Sequence, residues 1–309
     1  MIQTKQFLPV ICGPTASGKS ALAIELARRL NGEVVSADSM QIYRDLAIGT
    51  ARTTEEEMDG IPHHLCGFLP LDDRYSVARY VEQAHRVIAE IVAHGKQPVV
   101  CGGTGLYISS LIGNLQFTEA EQDDTVRQKW RAAYDEQGGE ALLTTLQAID
   151  PETAARLHPN DATRIVRALE LWETAGVTMS EQRRESVREE TPYRAKVILL
   201  DARDRAFLYD RINRRADAMV QHGLLDEARM LQATPNVATA MQAIGYKELF
   251  PYLNGNISLE QAIENLKQGT RRYAKRQLSW FRRIADATLY IDDYPTASAL
   301  ADAAMQAIE

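Results

Sequence analysis

From Phe7 to Cys12 apolar side chains dominate a short run that stops at Gly13, and past a glycine-containing loop the apolar period changes. Ala21, Leu22, Ile24, Leu26, Ala27 and Leu30 recur at helical spacing as far as Asn31-Gly32. The pattern predicts strand, loop and helix, closed by a glycine stop. Residues 33–38 (EVVSAD) read as a second strand that leaves Asp38 at its C-terminal end. Over residues 76–94, Val77, Tyr80, Val81, Ala84, Val87, Ile88, Ile91 and Val92 mark one face of a helix, which Gly95 stops before a third strand at residues 97–103. Residues 195–201 and 288–291 add two further strands. Strands alternating with helices imply a parallel sheet with helices on both faces, because each parallel crossover lays a helix against the sheet.

Between residues 119 and 190 the strand signal disappears. Helical periodicity covers residues 123–136, 141–149 and 161–174. The expected organisation is an α/β core made of residues 1–118 and 191–309, interrupted by a helical insertion over 119–190. A second helical block spans residues 203–231, with Arg205, Arg211, Arg214 and Arg215 concentrated in its first half. No internal repeat, low-complexity segment or linker stands out.

Composition narrows the class. A chain of 309 residues with 45% hydrophobic and 25% charged side chains can bury a substantial core. Its apolar runs are far shorter than the roughly 20 residues of a membrane-spanning helix, and its first residues lack a signal-peptide pattern. The expectation is a cytoplasmic protein without membrane contact, a monomer by default. The three cysteines, Cys12, Cys66 and Cys101, show no paired spacing and read as reduced and mostly buried. A net charge of −7 excludes an indiscriminate polyanion binder. Yet residues 269–283 (GTRRYAKRQLSWFRR) hold six Lys or Arg and no acid. Ala274, Leu278, Phe281 and Ile284 or Ala285 would form the apolar face of this helix, and Arg272, Lys275, Arg276, Ser279 and Arg283 the opposite one. A solvated surface helix accounts for such a face; phosphates account better for so many uncompensated cations.

Three stretches suggest chemistry. Gly13-Pro14-Thr15-Ala16-Ser17-Gly18-Lys19-Ser20 has phosphate-loop spacing with the required strand before it and helix after it. Backbone N–H groups at a helix N-terminus, the Lys19 ammonium and a metal-binding hydroxyl at Ser20 together suit a pyrophosphate. Asp38 is either a helix cap or turn residue in ADSMQ or a carboxylate at the edge of the sheet where ligands bind, able to accept a proton from a nucleophile. In CGGTGLY (residues 101–107), glycines stand where a nucleotide hydrolase would carry a magnesium-binding acid. They suggest either close approach to the backbone or a tight turn. His63-His64 with Cys66 reads as structural rather than as a metal site, since adjacent side chains point apart.

Taken with SADSMQIYRDLAIGTA, GIPHHL, GGTGLYI, NDATRIVRALE, AIGYKE and TRRYAKRQLSWFRR, the phosphate loop closely resembles that of the tRNA dimethylallyltransferases (tRNA isopentenyltransferases) of the bacterial type. The resemblance implies a P-loop NTPase-like fold. It also implies transfer of a dimethylallyl group from dimethylallyl diphosphate to the exocyclic amine of the adenine 3′-adjacent to the anticodon of tRNA, releasing diphosphate with Mg2+ as cofactor. On this resemblance Gly13, Pro14, Thr15, Ala16, Ser17, Gly18, Lys19 and Ser20 hold the diphosphate, with Ser20 on the metal and Thr15 near the bridging oxygen. Asp38 takes the proton of the amine, and Arg215 reaches the pyrophosphate. The tRNA, through its anticodon stem-loop, would meet Asp38, Ser39, Met40, Gln41, Thr104 and Val126. It would also meet Ala162, Thr163, Arg164, Ile165 and Val166, then Ala243, Ile244, Gly245, Tyr246, Lys247 and Glu248. The last group is Arg276, Gln277, Leu278, Ser279, Trp280, Phe281, Arg282 and Arg283. Independently of the resemblance, Arg164 and Arg167 lie one helical turn apart, where they could grip phosphate. Rival readings are a P-loop nucleoside or nucleotide kinase and an ATP-regulated RNA-binding protein.

Overall fold

A computed structural model describes residues 5–115, 124–186, 190–237 and 239–309. The chain divides into two compact units, one of residues Met1–Ile112 and Thr191–Glu309, the other of Gly113–Glu190. The expected boundary at 118/119 lies outside the described residues.

The larger unit is built on a six-stranded sheet in the order β3-β2-β4-β1-β5-β6. Its strands are β1 (Gln6–Cys12), β2 (Gly32–Ser36), β3 (His63–His64), β4 (Gln97–Gly102), β5 (Tyr193–Asp201) and β6 (Ala287–Tyr290). Every pairing is parallel. The central strands are buried along most of their length, as expected where helices cover both faces. Its helices are α1 (Lys19–Arg29), α2 (Glu55–Met58), α3 (Val77–Ala93) and α4 (Gly105–Ile112), continued below after the second unit.

That second unit holds α5 (Asp124–Gln137), α6 (Gly139–Ile149), α7 (Pro151–Ala154), α8 (Ala162–Ala175) and α9 (Met179–Glu185). Leu142, Leu146, Ala154, Ile165, Ala168 and Leu169 form its own apolar core. Glu170, with no exposed surface, accepts from Arg127 Nε at 3.1 Å. Arg167 Nη1 lies 3.1 Å from its other oxygen without hydrogen-bond alignment.

Back in the sheet unit, the helical block expected over 203–231 is two helices, α10 (Arg205–Gln221) and α11 (Leu224–Ala233), separated at Gly223, whose φ is 102°. They are followed by α12 (Phe250–Leu253), the 23-residue α13 (Leu259–Phe281) and α14 (Ala297–Ile308). The hydrophobic pattern did not mark α14. It lies beside α1, where Arg29 Nη1 meets Asp302 Oδ1 at 2.6 Å.

One local expectation changes, and the structural reading of the histidine pair gains its partners. The glycine stop after α1 is not Gly32: Asn31 takes the left-handed conformation (φ 50°), and Gly32 already belongs to β2. There a Cβ would lie 2.2 Å from the Gln97 carbonyl oxygen, so glycine is required by the neighbouring strand. The His63-His64 pair is a short edge strand. His63 Nδ1 is 2.8 Å from the Ile61 carbonyl, and His64 Nε2 is 2.6 Å from Glu33 Oε2. Among the described residues no helix is long and apolar enough to cross a membrane.

Candidate functional site

Residues of the phosphate loop connect β1 to α1. Ala16 (φ 64°) and Gly18 (φ 85°) both adopt left-handed conformations, which turns successive backbone groups inward. Alanine holds such a conformation at a cost of about 1 kcal/mol, and here Arg211 Nε on α10 fixes the Ala16 carbonyl at 2.8 Å. Ser17 is buried, and its Oγ has no partner. An orphaned hydroxyl inside this loop suits a phosphate oxygen.

Lys19 is enclosed at the start of α1, its ammonium 3.5 Å from the Pro14 carbonyl. Burial pushes its pKa down, Arg215 pushes it further down, and Asp38 pulls it back up. Arg215 is likewise lowered by burial and raised by Asp38. Two cations in a dry setting therefore share one carboxylate, and an anionic ligand would relieve the imbalance.

Asp38 acts as a turn residue and also lines the cavity. Its Oδ1 accepts the N–H groups of Met40 (3.0 Å) and Gln41 (3.3 Å), while Oδ2 lies toward Gly103. One oxygen is thus spent on the turn and the other is available to the cavity. The turn is secured from β4 as well, since the Ser39 N–H donates to Thr104 Oγ1 at 2.9 Å.

The glycines at the end of β4 and just beyond it answer to close approach, not to a left-handed turn, since none of them has positive φ. A Cβ on Gly102 would sit 2.1 Å from the Ala37 carbonyl oxygen, one on Gly103 would sit 2.5 Å from Gln277 Nε2, and one on Gly105 would sit 2.5 Å from the Trp280 ring. The approaching groups belong to the chain itself.

Gln277 is the link between these loops. From α13 its Oε1 accepts the Thr15 N–H at 3.0 Å and its Nε2 donates to the Gly103 carbonyl at 2.8 Å, with 5% of the residue exposed. A helix whose outer face is basic is therefore keyed directly into the phosphate loop.

These parts enclose a cavity of ≈ 240 Å³. Thr15, Lys19 and Ser20 line one part of it, Asp38, Ser39, Met40 and Gln41 another, with Arg215, Ala243, Ile244, Gly245 and Gln277 completing the residues expected from the sequence. Sequence reasoning missed Gly49, Thr50, Ala51, Ile212, Ala216, Met219, Gln242, Leu266, Thr270 and Tyr273. Part of this was legible. Ile212, Ala216 and Met219 fall on the same face of α10 as Arg215, and Arg211 stands one turn before it. Residues 49–51 close the block SADSMQIYRDLAIGTA, but no periodicity or charge there marks them as cavity residues.

Several residues expected to meet a macromolecule are placed in the core. Ile165, Val166, Ala243, Tyr246, Gln277, Leu278 and Phe281 each expose 5% or less of their surface, so their side chains support neighbouring residues. Trp280 Nε1 donates to Ser109 Oγ at 2.9 Å. The cations of α13 are not all uncompensated: Arg271 meets Glu264 at 2.8 Å, and Arg282 meets the buried Asp201 at 2.7 Å. Among the described residues Arg272, Lys275, Arg276 and Arg283 pair with no carboxylate; Arg276 lies over Tyr273 and Arg283 over Trp280. Ser279 and Lys247 are exposed, and the Glu248 carboxylate accepts the Gly245 N–H at 2.9 Å. On the second unit, Val126 and Ala162 are half-buried, while Thr163 and Arg164 are exposed at the start of α8. Arg164 and Arg167 both face carboxylates of their own helix region, Asp161 and Glu170, instead of standing free.

Comparison with known proteins converges on one family. The IPP transferase family model matches residues 41–284. A tRNA dimethylallyltransferase of Bacillus subtilis is 46% identical over 291 residues, covering 94% of this chain and 92% of that protein. The chain belongs to the tRNA dimethylallyltransferase family. A second relative of that description, from a Thermoanaerobacter species, is 46% identical over 289 residues, with 92% of each chain covered. Among solved structures, the tRNA isopentenylpyrophosphate transferase of Bacillus halodurans superposes with a TM-score of 0.72 at 41% identity, covering 98% of this chain and 97% of that one. A eukaryotic dimethylallyltransferase acting on tRNA gives a TM-score of 0.76 at 31% identity, over 93% of this chain and 74% of the other. The fold is accordingly the P-loop NTPase-like α/β fold of these transferases.

Proposed function

We propose that this chain transfers a dimethylallyl group from dimethylallyl diphosphate to the exocyclic amine of an adenine in tRNA, the base 3′-adjacent to the anticodon. The observation that carries the reading is the meeting of the phosphate loop, a carboxylate at Asp38 and an apolar wall in one cavity. A nucleotide hydrolase has no use for Ile212, Ala216, Met219 and Leu266 beside its phosphates; an allylic diphosphate does.

In this reading the loop amides, Lys19 and Arg215 bind the diphosphate, and Thr15 lies beside the oxygen that leaves. The base is extruded from the anticodon loop so that its amine reaches the cavity. The amine nitrogen attacks the first carbon of the allyl group, the carbon–oxygen bond to the diphosphate breaks, and its electron pair leaves with the diphosphate. Asp38 accepts the proton from nitrogen through the oxygen not engaged by Met40 and Gln41. Fixed donors around the leaving group stabilise its growing charge without reorganisation.

The donor set suits magnesium held through substrate. Among the described residues no three His, Cys, Asp or Glu side chains gather into a metal cage, whereas Ser20 offers a hard oxygen ligand in the cavity. When bound with the diphosphate oxygens, the ion would spread the charge of the leaving group.

The test is direct. Purified protein with magnesium, dimethylallyl diphosphate and tRNA lacking the modification is expected to release diphosphate and add one dimethylallyl mass to one adenine. Asp38→Ala is expected to abolish transfer while leaving tRNA bound. Unchanged tRNA mass with consumption of ATP instead would overturn the reading.

A further inference from the structure

One wall of the cavity consists of two loops far apart in sequence, Gly49-Thr50-Ala51 and Gln242-Ala243-Ile244-Gly245. Neither is held by the sheet. Both converge on Glu227, a side chain from the first turn of α11 that does not itself line the cavity. Its Oε1 accepts the Ala47 N–H at 2.6 Å and its Oε2 accepts the Gly49 N–H at 2.8 Å, with the Ile48 N–H at 3.1 Å from both. The Tyr246 hydroxyl donates to Oε2 at 2.8 Å.

Three successive backbone N–H groups form a concavity suited to an anion, and here the protein supplies the anion itself. Tyr246 has no exposed surface, and its ring lies where a Cβ on Gly49 would be 2.4 Å away, so the second loop is seated on the first. Burial and the adjacent carboxylate both push the Tyr246 phenol up, which keeps its hydroxyl a donor. Leu224, Ala228 and Leu231 anchor the rest of α11 in the apolar cluster that also contains Tyr246, Ala243 and Leu46. One carboxylate thus ties the two loops to each other through charge-assisted hydrogen bonds of the stronger kind, while Gln41 Nε2 on the Thr50 and Ala51 carbonyls and Glu248 on the Gly245 N–H each hold one loop alone.

We infer that Glu227 is a positioning residue for the tRNA acceptor, fixing the wall against which the base is held and leaving the diphosphate end of the cavity untouched. The inference rests on the transferase reading above. It separates the two substrates, because the phosphate loop is held instead by Gln277 and Arg211.

The experiment compares wild type with Glu227→Gln, which keeps the shape but loses the charge and turns one acceptor into a donor facing backbone N–H groups. The KM for tRNA is expected to rise about tenfold or more, while the KM for dimethylallyl diphosphate stays within about twofold. Amide hydrogen exchange is expected to show residues 47–49 and 243–246 losing protection together. Tyr246→Phe, which removes only the hydroxyl, should shift the same quantities in the same direction by less, and it serves alone if Glu227→Gln does not fold. Equal rises in both KM values, or loss of protection confined to residues 47–49, overturn the inference. Should the wild type fail to modify tRNA, the transferase reading falls, and joint deprotection of the two loops still decides whether Glu227 holds them.

Discussion

At Lys19 the surroundings set a pH dependence for donor binding. Burial and Arg215 lower its pKa in the free protein, and a bound diphosphate would add negative charge beside the ammonium and raise it again. Binding then takes up protons once the pH passes the lowered value of the free protein, so affinity falls with rising pH from there to the raised value of the complex. Calorimetric titration with inorganic diphosphate, repeated in buffers of different ionisation enthalpy, should show net proton uptake in the alkaline range below the ordinary lysine value. Independence from pH up to that value would contradict it. Lys19 itself was legible in the sequence because loop, strand and helix are neighbours along the chain. The linking role of Gln277 was not: its bond to Thr15 spans 262 residues, and a glutamine amid arginines carries no local mark of where it points.

Helix α13 shows the same division at the scale of an element. Its periodicity gave the two faces correctly, with Ala274, Leu278 and Phe281 buried and Lys275, Arg276 and Arg283 exposed. Each buried Leu or Phe contributes roughly 1.5–3 kcal/mol to holding the helix down. What periodicity does not give is the partner of each charge. Arg276→Ala is expected to weaken tRNA binding and to reduce the slope of log affinity against log salt by about 0.7–0.9. Arg282→Ala should leave that slope nearly unchanged and instead destabilise the protein by about 1–3 kcal/mol, since Asp201, 1% exposed, keeps the Ala202 N–H at 2.8 Å but no cation closer than Arg205 at 3.4 Å. Salt-dependent binding and chemical denaturation of the two variants separate these outcomes; identical salt slopes for both would refute the assignment.

Across the whole molecule, two compact units each carry a core of their own, and the alternation of strands with helices made the sheet legible where a helical stretch without strands marked the other unit. The order of the strands was not legible, because nothing in a strand's composition names its neighbour. In the unit of residues 113–190, Glu170→Ala leaves Arg127 without its buried partner. It should destabilise that unit by about 1–3 kcal/mol. Hydrogen exchange is expected to report the loss in α5, α6 and α8 while β1, β4 and β5 keep their protection; uniform loss throughout the chain would count against separate cores.

The glycines that follow β4 also limit where this chain can go in sequence space. An acid at either of the first two would meet the Ala37 carbonyl oxygen at 2.1 Å or the Gln277 amide at 2.5 Å. The first obstacle is main chain and the second is pinned at both ends, so neither yields to a side-chain rotation. A single substitution that places an acid at either position is therefore blocked. Any redesign that needs an acid here would have to move the Ala37 main chain for the first position or Gln277 of α13 for the second.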